Sequence, residues 1–260
     1  MRRAYCLLLV GLVGLGAVFV CARWASQVNW RKVWDTLDGG SYSIHNTMAA
    51  YEFDPKVVST TLPSGDFLTP VPLYSPTPVS VTQTAPIRMN DDVLYGMANR
   101  LLATASVEPK LVVVSFQIPC ANAEVGPQLV TFGYVRLVDE TLSFPYLRED
   151  VNINTEWGKI LYTSGWENFL SPSADEPVVD YPNLPIRIYE ALQIAEDSGG
   201  RDFRDSVDNA CEIRGGIGAY RETGKWKVGY VILDEEKNPE WVLEFEIDAM
   251  GGEVRLLERQ

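Results

Sequence analysis

Apolar residues recur at helical spacing just after residue 90, where Val93, Leu94, Met97, Leu101 and Leu102 mark one face of a helix that Asn90 or Asp91 can cap. The period then changes to that of strands. A β-rich run, Leu111 to Ile118, and an aromatic-containing run, Leu129 to Val138, are bounded by Pro, Gly or acidic turn residues. A third strand pair brackets Asn152 to Tyr162. After a Pro-punctuated joint, 171–185, the order begins again. A helix from Ile186 to Asp197 is stopped by Gly199-Gly200, and strands follow near Cys211 to Ile213, over Lys225 to Leu233, over Trp241 to Ile247 and over Glu253 to Leu257.

The two halves read as a diverged internal repeat, with units at 90–170 and 186–260. Their ends carry the comparison. Ile153-Asn154-Thr155-Glu156-Trp157-Gly158-Lys159-Ile160 aligns with Ile247-Asp248-Ala249-Met250-Gly251-Gly252-Glu253-Val254. Each has an apolar strand residue, an Asn or Asp, a turn with Gly, a charged residue and a β-branched restart, which is the chemistry of a hairpin.

Upstream, residues 35–89 read as an extended linker. Pro63, Pro70, Pro72, Pro76, Pro78 and Pro86 remove backbone donors and favour polyproline conformations, so this stretch is expected to be a spacer or a strap and not a core element. Tyr42, Ile44, Tyr51, Phe53, Val57 and Val58 before it supply enough apolar surface to dock but not to fold alone.

From Ala4 to Ala22 runs an uncharged segment of 19 residues, which as a helix spans roughly 28 Å, close to a bilayer's hydrocarbon thickness. Leu7, Leu8, Leu9, Leu12, Leu15 and Phe19 are the expected membrane anchor, and Gly11, Gly14 and Gly16 would allow close helix packing. Trp24, Trp30 and Trp34 suit the headgroup interface. The expectation is a single-pass signal anchor at 1–34 that contacts membrane lipid, with the C-terminal region outside the cytoplasm. A cleaved signal peptide ending at Ala22 and a lipoprotein signal using Cys21 are the alternatives.

Charge narrows the partners. The first 34 residues hold five of the 22 basic side chains and no acid, which leaves 17 basic against 35 acidic residues downstream, a net of −18. Such a surface repels phosphate backbones, so no nucleic acid is expected as partner.

Candidate chemistry is sparse. The single histidine, His45, stands before the Pro-rich stretch, and no HExxH, paired CxxC, Walker or strand-following GxGxxG pattern is present. Gly215-Gly216-Ile217-Gly218 reads as a turn between strands and not as a phosphate cradle. Asp202, Asp205 and Asp208, with Asp197, lack the spacing of a calcium loop and read as a solvated acidic face. No catalytic residue, cofactor or metal ligand is therefore assigned. Cys120 and Cys211 lie one in each half and could pair in an oxidising compartment, the alternative being two buried thiols.

Residues 186–257 resemble the PepSY family of small extracytoplasmic domains. The resemblance rests on Ala191-Leu192-Gln193-Ile194-Ala195 with Gly199-Gly200, on Trp226-Lys227-Val228-Gly229-Tyr230, and on the ending Phe245 to Val254. It implies a helix packed on a curved antiparallel sheet, no catalytic residues, and a role in regulating peptidases. The combined expectation is an α+β chain: an N-terminal transmembrane helix followed by two tandem helix-on-antiparallel-sheet, PepSY/cystatin-like units. Its expected function is a membrane-anchored, extracytoplasmic, non-catalytic binding module for a protein partner, either a peptidase or another envelope protein. The alternative is a structural accessory subunit of a larger membrane complex.

Overall fold

A computed structural model describes residues 46–63, 66–72, 87–103, 109–137, 146–166, 178–218, 224–233 and 239–257. In chain order the elements are β1 (Asn46–Glu52), α1 (Pro55–Val58), β2 (Thr69–Val71), α2 (Asp91–Leu102), β3 (Lys110–Pro119), β4 (Leu129–Leu137), β5 (Tyr146–Asn154) and β6 (Lys159–Trp166). They continue with α3 (Ile188–Ala195), α4 (Arg201–Ser206), β7 (Glu212–Gly218), β8 (Lys225–Leu233), β9 (Pro239–Asp248) and β10 (Val254–Leu257).

Among the described residues these ten strands form one sheet in the order β10-β9-β8-β7-β3-β4-β5-β6-β1-β2. Every neighbouring pair is antiparallel. The meander β3 to β6 and the meander β7 to β10 meet where their first strands pair, from Val113 opposite Gly218 to Pro119 opposite Glu212.

This corrects the expected fold class. The described chain is mostly a single continuous antiparallel sheet with few helices, and not two separate helix-on-sheet α+β units behind a transmembrane helix. The physical reason is the seam. β3 and β7 each expose a full row of backbone donors and acceptors, and pairing them removes two edges at once. Nor is the expected single-pass membrane architecture supported: among the described residues no helix is long and apolar enough to cross a membrane. The anchor assigned to Leu7, Leu8, Leu9, Leu12, Leu15 and Phe19, the packing glycines Gly11, Gly14 and Gly16, and the interfacial Trp24, Trp30 and Trp34 lie outside the described residues, as does His45.

Two further differences concern single elements. The stretch read as linker supplies β1, paired with β6, and β2, paired with β1. Pro70 is tolerated because β2 is an edge strand. Gly199 has φ 120°, yet it kinks the chain instead of ending the helical region, which continues into α4.

Strand alternation builds the core. On β3, Val114, Phe116 and Ile118 are buried, and Val130 and Phe132 on β4, Trp226, Val228 and Tyr230 on β8, and Phe245 and Ile247 on β9 share their cluster. α2 buries Val93, Leu94, Met97, Ala98 and Leu102, while α3 buries Ile188, Ala191, Leu192 and Ala195. Phe116 reaches across the seam to within 6.1 Å of the Trp226 ring centre. It can do so because its partner on β7 is Gly215, where a Cβ would stand 2.2 Å from the phenyl ring. The Gly-rich segment read as a turn is thus the central strand that makes room for an aromatic ring.

Candidate functional site

Cys120 follows β3 and Cys211 precedes β7, and the structure joins them in a disulfide with Cα atoms 5.3 Å apart. The Cys120 amide also donates to the Cys211 carbonyl at 2.9 Å, so covalent and hydrogen bonds close the same end of the seam. Asp202, Asp205 and Asp208 are exposed on and after α4. Among the described residues no group of three or more His, Cys, Asp or Glu side chains is placed to hold a metal ion.

Among the described residues, three groupings of buried ionisable side chains are held chiefly by bonds to one another. Beside the disulfide, the Arg204 Nε donates to both Glu196 oxygens, at 3.0 and 2.9 Å, and its Nη1 donates to the Cys120 carbonyl and to Asn209. The Tyr230 hydroxyl donates to the same Glu196 at 2.6 Å. Burial, and then the Glu196 carboxylate that accepts its proton, push the Tyr230 hydroxyl up, so it stays a donor. On the other half, Arg136 holds Glu149 through two bonds, and the Tyr162 hydroxyl donates to Glu149 as well.

The third place is a polar cleft of about 550 Å³ where the N-termini of α2 and α3 meet. Asn90 caps α2 by accepting the Asp92 amide at 2.7 Å. Asp91, 8% exposed, accepts the Tyr181 hydroxyl at 3.0 Å. Burial, with Glu190 adding to it, raises its carboxyl to about 6, against the lowering effects of the Tyr181 bond and the Arg187 guanidinium. Arg187 pairs with Asp92, donates to the Pro182 carbonyl at 2.6 Å and lies over the Tyr181 ring. Tyr189 accepts the Met89 amide and is covered by Arg88. These groups spend their hydrogen bonds on each other and tie the two halves together. The chemistry is that of a clasp.

The fourth place is different. At the β1–β2 end of the sheet a cleft of about 750 Å³ is walled by Pro55, Val57, Val58, Pro63, Phe67 and Trp157, with Glu52, Asp54, Lys56 and Asp66 among its polar residues. Trp157 is 50% exposed and Val57 62%. Trp157 sits on the turn between β5 and β6, and that turn is held on every side. Asn154 accepts the Trp157 amide at 2.8 Å. Thr155 donates to the Pro127 carbonyl at 2.6 Å, and Glu156 accepts from Gln128. Gly158, with φ 60°, accepts the Phe53 amide at 2.8 Å, and a side chain there would meet the Phe53 carbonyl at 2.2 Å. A large indole is therefore presented to solvent by a fixed turn, next to an apolar groove. The indole and the groove walls together form an exposed apolar surface.

Nothing in the sequence singles out Trp157. The hairpin was visible, since Asn154 and Gly158 stand where a tight turn needs them. What could not be read was that β1 returns to lie beside β6 and brings Phe53, Pro55 and Val57 up to the indole. The aligned turn between β9 and β10 is built likewise, with the Asp248 Oδ1 accepting the Met250 and Gly251 amides. It exposes Met250.

No family model matches this chain, and the comparisons with curated proteins and with solved structures found no match.

Proposed function

We propose that the described region is a non-catalytic module that binds another protein outside the reducing cytosol, and that the Trp157 cleft is its contact surface. The observation that carries this reading is the half-exposed indole on its locked turn at the mouth of the groove. Aromatic anchors beside well-formed grooves dominate protein recognition. The buried carboxylates Glu196, Glu149 and Asp91 are engaged by Arg204, Arg136 and Tyr181 in bonds that hold the fold, which supports a structural and not a catalytic use of them. A disulfide across the central seam suits an oxidising compartment. The resemblance of residues 186–257 to PepSY domains makes a peptidase the first partner to try.

The test places a photo-activatable phenylalanine analogue at Val57 in the full-length chain, with the same residue at exposed Asp205 as control. Crosslinking in the native cells is expected to join one protein to the Val57 probe and not to the Asp205 probe. Trp157→Ala is expected to abolish that adduct while leaving the circular dichroism spectrum unchanged. Equal adducts from both probes, or none from Val57, would remove the cleft as the contact surface.

A further inference from the structure

We propose that the Trp157 cleft takes a cationic side chain, the guanidinium or ammonium of an arginine or lysine on the bound partner. The inference rests on the binding-module reading and adds the chemistry of the occupant. Three carboxylates, Glu52, Asp54 and Asp66, line the cleft against the single ammonium of Lys56. Walls of Pro55, Val57, Pro63 and Phe67 suit the methylene stem of a long basic side chain, and the Trp157 face suits its charged end.

The strongest single observation is on Glu52. Its Oε1 is buried and has no hydrogen-bond partner. Glu52 is paired across the strands with Lys159 on one side and Thr69 on the other, yet neither supplies a donor to that oxygen. A carboxylate oxygen withdrawn from water without a donor is costly, and an arriving N–H group relieves the cost. A neutral apolar occupant would leave Glu52 as it is, and an anionic one would be repelled. A neutral N–H donor would answer the orphan oxygen but not the excess of carboxylates; a cation answers both.

The experiment titrates the full-length, ¹⁵N-labelled chain with two blocked tripeptides, acetyl-Ala-Arg-Ala-amide and its citrulline counterpart, which has nearly the same shape and no charge. The expected result is saturable shifts at the Trp157 indole N–H and at the Glu52 and Thr69 amides, with the arginine peptide binding at least tenfold more tightly. Glu52→Gln, an isosteric change, is expected to bring the arginine peptide down to the citrulline level. Raising sodium chloride from 20 to 300 mM on the unaltered chain should weaken the arginine peptide alone, which tests the charge without any variant. If both peptides bind equally, the cation is overturned while the binding surface stands. If neither shifts these signals and the Val57 probe also fails to crosslink, both readings fall. If Arg31→Glu with Lys32→Glu moves the same signals in the absence of peptide, the groove belongs to the chain's own basic segment and the partner's cation is overturned.

Discussion

Replacing Cys120 and Cys211 together by alanine removes the one covalent tie across the β3–β7 seam. The two cysteines are separated by 91 positions. Closing a loop of that length in the unfolded chain costs it conformational entropy worth about 4.6 kcal/mol at 25 °C. The cavity left at fully buried Cys120 adds about 1 kcal/mol. Against this, the seam keeps its backbone pairing and its share of the core, so the variant is expected to fold and to lose stability without losing architecture. Urea denaturation followed by tryptophan emission is the assay. With a slope of about 2 kcal/mol per molar, the midpoint should fall by roughly 3 M. Peptide mapping without reduction should recover Cys120 and Cys211 in one linked fragment from the unaltered chain. A midpoint that moves by less than about 0.5 M, within the extrapolation error of such curves, would refute the claim that the cross-link restrains the unfolded chain.

Asp91 predicts a pH effect. Its folded-state value of about 6 lies above the ordinary 3.8, so the folded chain keeps a proton that the unfolded chain has already lost. The resulting stability is complete below pH 4 and disappears as pH rises through 6, an amount of at most about 3 kcal/mol. Asp91→Asn, neutral throughout and still able to accept from Tyr181, should flatten that slope and stabilise the chain at pH 7 by about 1–3 kcal/mol. Parallel urea midpoints for variant and parent from pH 4 to 7 would count against the assignment. The seam glycines predict opposite outcomes for the same substitution. Gly215→Ala drives a methyl to 2.2 Å from Phe116 and should cost about 1–3 kcal/mol, whereas at Gly218 the nearest atom stands 3.6 Å away and alanine should be neutral or slightly stabilising. Thermal denaturation of the two variants side by side checks this, and equal losses would contradict it.

The strands with regular alternation were legible because their buried positions repeat every second residue. β3, β4, β8 and β9 fall within a few residues of the runs read for them. α2 was legible from its apolar spacing and its Asn90 cap. Where residue type disagreed with structure, long-range packing had decided the matter. The β7 sequence Glu-Ile-Arg-Gly-Gly-Ile-Gly has the composition of a turn, but it is a strand because β3 and β8 pair with it on both sides. Gly199-Gly200 has the composition of a stop. The helix resumes because Phe203 and Arg204 find buried places, Phe203 5.8 Å from the Tyr230 ring. β1 carries few β-branched residues and β2 centres on Pro70, so they are strands because β1 pairs with β6 and β2 in turn pairs with β1. The same pairing brings the two sides of the Trp157 cleft together, which is why that cleft could not be read from the sequence.

The central position of the seam has a consequence for how the molecule is made. Each hairpin within a meander joins strands close in sequence and can form in about 1–10 μs. The seam joins strands from different halves, and its closure must wait until the intervening loop has been brought together. Oxidation of Cys120 and Cys211 takes seconds to hours and needs the two ends of that seam side by side. The cross-link is therefore a late event that records a completed assembly. A chain in which Cys120 has reacted instead with Cys6 or Cys21 is one in which oxidation outran the closing of the sheet.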